Sequence, residues 1–197
     1  MTTATPENDL TGRAAPAPQT RSRTQHLVSA ALIAAIMAAV GPVAVNAGAV
    51  PITLQVFPVA LAAMLLPAEW AAASMAVYLV LGAIGVPVYA GGHAGLGVLF
   101  GPTGGYIFGF VAGATLGALV RSAVATPLHR AVGDVAAAVT TVSAVYLLGW
   151  AWLAFGPTHL APLAAFVGGV APFVVPDFVK AGVAVLVAGA VRRAAIR

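Results

Sequence analysis

Arginine appears in this chain only before, after and at one gap within a series of apolar runs, and that pattern limits the folds open to it. Six runs are each close to the roughly 20 mostly apolar residues that a membrane-spanning helix needs. They are His26 to Val45, Pro51 to Leu66, Ala68 to Val86, Thr103 to Val120, Val135 to Phe155 and Pro172 to Val191. Arg13, Arg21 and Arg23 precede the first run, Arg121 and Arg130 lie between the fourth and fifth, and Arg192, Arg193 and Arg197 follow the sixth. Arginine and lysine concentrate in cytoplasmic loops. Six helices with both termini cytoplasmic put all eight arginines on that side; an odd number of helices breaks the pattern. The expected fold is therefore all-α: a polytopic integral membrane protein with six transmembrane helices.

Composition agrees. Hydrophobic residues make up 61% of the chain and charged residues 7%, against about 25% charged in soluble domains. The mean hydropathy is +1.00. No second soluble domain is expected. Residues 1–24 read as a disordered cytoplasmic tail, rich in Thr, Pro and charge. They do not read as a secretory signal, because the apolar run that follows is too long. Residues 25–197 are expected to form one six-helix transmembrane domain. The short apolar stretch from Leu160 to Val170 is left over, as a re-entrant or interfacial piece or an extension of the fifth helix. The second run is the weakest span, being short and carrying Pro58.

Several functions are excluded or disfavoured. There is no Cys, so a disulfide framework, a thiolate metal site and a Cys nucleophile are out. The cations lie at the chain ends and in one loop, a pattern that orients a membrane protein and does not bind nucleic acid. No H-E-x-x-H, G-x-S-x-G or Walker sequence occurs, so neither an intramembrane enzyme nor a self-contained ATPase is expected. No metal and no cofactor are expected. Ionisable residues are scarce in the first five runs, which disfavours a secondary transporter driven by an ion relay.

The exceptions to this scarcity mark the candidate site. Asp177 and the only lysine, Lys180, stand three apart near the start of the sixth run, on one helix face. Charges at membrane depth cost about 2.5–3.5 kcal/mol at the centre on insertion scales. Two readings are open: the two charges pair or Lys180 snorkels outward, or they form a polar floor for a ligand entering from outside. An acceptor-only carboxylate beside a donor-only ammonium suits a ligand with both N–H and C=O groups. On the same side runs PVYAGGHAGLGVLFGPTGGY, Pro87 to Tyr106, with Gly91 and Gly92 free to take unusual backbone angles. His93 reads there as a solvated loop residue. The first external loop adds Asn46, Thr53 and Gln55, alternatively ordinary interfacial polarity. In the first run Ala30, Ala34 and Ala38 form one small-residue stripe and Ala31, Ala35 and Ala39 another, either for packing or for a partner.

Three stretches in order, VPITLQVF, LGAIGVPVYAGGHAGLGVLFGPTGGYIFGF and PDFVKA, are similar to the BioY family. These are the biotin-specific substrate-capture (S) components of energy-coupling factor (ECF) transporters. The resemblance implies a six-helix S-component bundle in the plasma membrane that captures biotin from outside with high affinity. It implies a transmembrane coupling protein and two cytoplasmic ATPases as partners, although some members are reported to act without a full module. The family's acid and lysine match Asp177 and Lys180. Its glycine-rich run matches Gly91, Gly92, Thr103, Gly104 and Tyr106. Its alanine pattern for the coupling protein matches Ala30 to Ala39, with Ala30, Ala31, Ala34, Ala35 and Ala38 as the expected contacts. With Tyr89, Thr53, Gln55 and Asn46, these give the expected biotin site. Asp177 would accept from a ureido N–H, while Lys180 would donate to the ureido C=O or steady Asp177. The valerate carboxylate would lie near the external mouth, met by Asn46, Gln55 or backbone N–H groups. The first external loop departs from that expectation in having no arginine or lysine. The alternatives are an S component for another small vitamin and a self-sufficient transporter.

Overall fold

The computed structural model describes residues 22–45, 50–124 and 129–194. Most of the expected tail, with Arg13 and Arg21, lies outside them, as do Asn46 and Arg197. Helix α1 (Arg23–Val40) starts at a capping box, in which the Ser22 side chain accepts from the Gln25 amide and Gln25 returns a bond to the Ser22 backbone. It therefore begins inside the stretch expected as tail. It stops well before Val45, because Gly41-Pro42 ends it. The chain then turns into a small antiparallel hairpin, β1 (Ala44–Val45) and β2 (Ile52–Thr53), with Ala44 opposite Thr53.

Helix α2 (Val56–Leu65) differs most from expectation. The run from Pro51 is helical over only ten residues, about 15 Å of rise, or half the hydrocarbon thickness of about 30 Å. Pro58 falls in its first turn, where a missing N–H costs nothing. Val56 and every residue from Pro58 to Met64 are buried. The helix is apolar all round because it is surrounded all round: it packs against α1, α3 (Ala68–Ala83), α5 (Gly104–Val124), α6 (Arg130–Phe155) and α8 (Val174–Ala194). A half-length helix at the centre leaves room above its N-terminus.

Helix α4 (Leu96–Leu99) is a short turn in the loop before α5. The leftover stretch Leu160 to Val170 contains α7 (Pro162–Gly169), started by Pro162 and packed on α6. α1, α5, α6 and the α7–α8 segment are long and apolar enough to cross a membrane, while α2 and α3 are shorter apolar helices. Their outward faces carry exposed Leu32, Val80, Leu116, Leu147 and Leu186, as lipid contact requires. Trp152 and Trp150 tie neighbouring segments to α6: their indole N–H groups donate to Gly101 O and Pro162 O, each at 3.0 Å.

Side-chain contacts fix which helix ends lie together. Asp134, at the start of α6, accepts from Arg121 Nε at 2.8 Å and from Arg192 Nη2, joining the end of α5 and the end of α8. Arg192 also donates to Met64 O at the end of α2 (3.1 Å). His26 stacks on Trp70, bringing the starts of α1 and α3 together. One end of the bundle therefore gathers these arginines. The opposite ends of the same helices surround a cavity.

Candidate functional site

The cavity has a volume of about 250 Å³ and opens at the end of the bundle opposite the arginine cluster. Its wall is built from five places. The hairpin and the start of α2 supply Ala44, Val50, Thr53, Gln55 and Val56. The turn after α3 supplies Tyr89, Ala90, Gly91 and His93. α5 and the residues before it supply Val98, Thr103, Tyr106, Ile107 and Phe110. α6 supplies Val145 and Tyr146, and the start of α8 supplies Asp177 beside Phe173.

Asp177 is 5% exposed, yet it lines the cavity. Lys180 Nζ donates to its Oδ1 at 2.7 Å, and Tyr146 Oη donates to its Oδ2 at 2.9 Å. A carboxylate offers about four acceptor positions, and these bonds use two. The remainder can receive N–H groups from a ligand. The two readings of the acid–lysine pair therefore combine: the charges are paired, and the acid still faces the cavity. Lys180 does not snorkel outward, nor does it line the cavity. Its ammonium turns to the Thr53 carbonyl oxygen, 2.6 Å away, so it stands behind Asp177 and fastens α8 to the hairpin.

Gln55 is 4% exposed and its side-chain amide is held at both ends. Oε1 accepts from Thr53 Oγ1 at 2.9 Å, and Nε2 donates to Tyr78 Oη at 2.5 Å. Tyr78 in turn donates to Val88 O at 3.2 Å. Thr53 and Gln55 thus present a fixed polar edge that needs no reorganisation to bind.

The two expected tyrosines contribute rings and not hydroxyls. Tyr106 Oη donates to Gly169 O and Tyr89 Oη to Leu79 O, both at 2.6 Å. Their rings, with Phe110, Phe173, Ile107 and Val145, make an apolar wall against the polar Asp177 corner. The turn between them depends on glycine. Gly91 has φ +72° and Gly92 φ +77°, angles at which a Cβ is strained. The turn closes with Gly92 N–H donating to Tyr89 O (2.9 Å) and Tyr89 N–H to His93 O (3.0 Å).

Of the expected binding residues, Asp177, Gln55, Thr53, Tyr89, Gly91, Thr103 and Tyr106 line one cavity. Gly92 supports the turn without lining it, and Asn46 lies outside the described residues. His93, read as a solvated loop residue, is exposed and also lines the cavity. Tyr146 was missed. The only sequence signal for it is that the chain has just four tyrosines: three line this cavity and the fourth, Tyr78, holds Gln55.

The alanines of α1 split into two stripes. Ala30 and Ala34 are buried in the bundle and Ala38 is half-buried, whereas Ala31, Ala35 and Ala39 are exposed. Of the five alanines expected to meet a partner, Ala31 and Ala35 lie on the surface. The first stripe faces α2 and α3 and is already covered.

Comparison with known proteins agrees with this architecture. The chain matches the BioY family over residues 13–197. It is 39% identical over 158 residues to a probable biotin transporter BioY of Pyrococcus horikoshii, covering 80% of this chain and 90% of the relative. It is 38% identical over 164 residues to the biotin transporter BioY of Thermotoga maritima, covering 83% and 94%. Its fold resembles the crystal structure at 2.1 Å of the S-component for biotin from an ECF-type ABC transporter. The TM-score is 0.78, with 24% sequence identity over 88% of this chain and 95% of that one. Matched over nearly its whole length, the chain is a membrane protein that belongs to the BioY family.

Proposed function

We propose that this chain captures biotin at the cavity as the substrate-binding component of an ECF-type transporter. The observation that carries the reading is the buried Asp177 corner. A carboxylate with unused acceptor positions faces a cavity whose other walls are largely aromatic and aliphatic. Biotin has two ureido N–H donors, one carbonyl and an apolar thiophane ring and tail. One ureido N–H donates to Asp177, the ring lies against Tyr106 and Phe110, and the Thr53–Gln55 edge faces the remaining polar atoms. Lys180 positions Asp177 through their ion pair. The names of the relatives support biotin over other vitamins.

Membrane sidedness follows from charge. The arginine cluster lies at the end opposite the cavity, and the rule that cations stay inside supports cytoplasmic termini and a cavity open to the outside. The chain has no nucleotide-binding sequence, so ATP hydrolysis belongs to partners: two cytoplasmic ATPases acting through a transmembrane coupling protein. The exposed stripe of Ala31 and Ala35 is the contact offered to that coupling protein.

Calorimetric titration of biotin into the purified chain in detergent, beside desthiobiotin and an unrelated vitamin, tests the reading. Saturable biotin binding by the isolated chain is expected. Binding of another vitamin in preference would keep the architecture and replace the ligand.

A further inference from the structure

We propose that His93 is the residue that recognises the acid tail of the ligand and so selects the free acid over its uncharged derivatives. This inference rests on the biotin reading above. Among the described residues, His93 is the only cavity-lining side chain able to carry positive charge. Lys180 is spent on Asp177 and Thr53 behind the wall. The described part of the first external loop, residues 44–45 and 50–55, has no cation.

The ligand's two polar ends fix the direction. Its neutral ureido head donates to Asp177, which is buried. A second carboxylate there would meet a like charge in a desolvated corner, which is strongly unfavourable. The acid tail therefore points away, toward the exposed side of the cavity. Gly91 and His93 are the exposed lining residues of that turn.

The imidazole rises from a well-anchored turn. Its Cδ2 and Nε2 lie 3.4 Å from the position a Cβ on Gly91 would occupy, so the ring lies over that glycine. The turn beneath is closed by its two backbone bonds, and Tyr89, buried to 1% exposure, anchors it through Leu79 O. A donor carried on such a turn at the rim of an apolar cavity suits a carboxylate that stays partly hydrated.

The test compares two ligands that differ only at the tail, biotin and biotinamide, by calorimetry on the full chain. The wild type is expected to prefer the acid by about fivefold, the scale of a partly exposed ion pair. His93→Ala should bring that ratio to about one by weakening the acid more than the amide, and a thermal unfolding midpoint in detergent matching the wild type shows the fold intact. His93→Lys should restore or raise the ratio. An unchanged ratio in both variants, or equal binding of acid and amide by the wild type, overturns the proposal while leaving biotin capture in place. Failure of folded wild type to bind biotin overturns the reading of the site itself.

Discussion

Lys180 reaches Asp177 across one turn of α8 at 2.7 Å, and the same ammonium holds the Thr53 carbonyl at 2.6 Å. The ion pair therefore orients the acid and couples α8 to the hairpin that forms the other side of the cavity. Asp177→Asn should weaken biotin binding roughly ten- to hundredfold, the worth of a hydrogen bond to a buried charge. Lys180→Met should do more harm, because it leaves Asp177 as an unpaired buried carboxylate; breaking one partner of such a pair costs roughly 3–5 kcal/mol. Combining the two substitutions should recover most of the thermal stability in detergent without recovering binding. A double variant no more stable than Lys180→Met would show that the cost does not come from an unpaired carboxylate at Asp177.

Tyr146 gives the carboxylate its second donor, 2.9 Å from Oδ2. Removing that hydroxyl lets the carboxylate rotate about its remaining bond to Lys180. Tyr146→Phe should lower biotin affinity by about tenfold with little loss of stability, since the ring still packs. Tighter binding in this variant would mean that Oδ2 is the acceptor the ligand needs and that Tyr146 competes for it.

The bundle and the acid–lysine pair were legible in the sequence because each rests on a local pattern. Apolar runs of spanning length, arginines at the chain ends and one gap, and a spacing of three on a helix need no knowledge of tertiary contacts. α2 was not legible in the same way. An apolar run reads alike whether it spans as a helix or divides into strand and half-helix, and its burial on every side depends on five neighbours. Tyr146 and Asp177 are 31 residues apart in sequence, and nothing local to VSAVYLLGW announces that contact. Asp134 was passed over for the same reason: its two arginine partners lie in different helices.

The close crossing of α5 and α6 should be sensitive to volume. A Cβ on Gly113 would stand 2.9 Å from Thr141 O, and Thr141 Oγ1 donates to Gly113 O at 3.1 Å. Neither backbone can yield without parting the helices that carry Tyr106 and Tyr146. Gly113→Val should therefore reduce both the folded yield in detergent and biotin affinity. Size-exclusion profiles and titrations matching the wild type would show that the crossing is looser than these distances imply.

The two alanine stripes of α1 should respond differently to bulk. Ala35 is exposed and Ala34 is buried. Ala35→Trp should keep biotin capture while abolishing co-purification with the proposed coupling protein. Ala34→Trp should disturb the fold itself, because overpacking strains a closed core. Full complex formation by Ala35→Trp would place the partner contact on another helix.

Asp134 provides the complementary control at the far end. It is 2% exposed and receives Arg121 and Arg192, tying α5, α6 and α8 together, while Arg192 also reaches the end of α2. Asp134→Asn removes the only negative charge between two guanidinium groups. The resulting repulsion, with loss of both charge-assisted bonds, should cost about 3 kcal/mol of stability. Asp134 and Tyr146 are about 18 Å apart along the α6 axis at 1.5 Å per residue, so biotin affinity of the folded fraction should match wild type. Thermal unfolding and titration on the same preparation separate the two effects. A loss of affinity without a loss of stability would mean that this cluster is coupled to the cavity through the helices that join them.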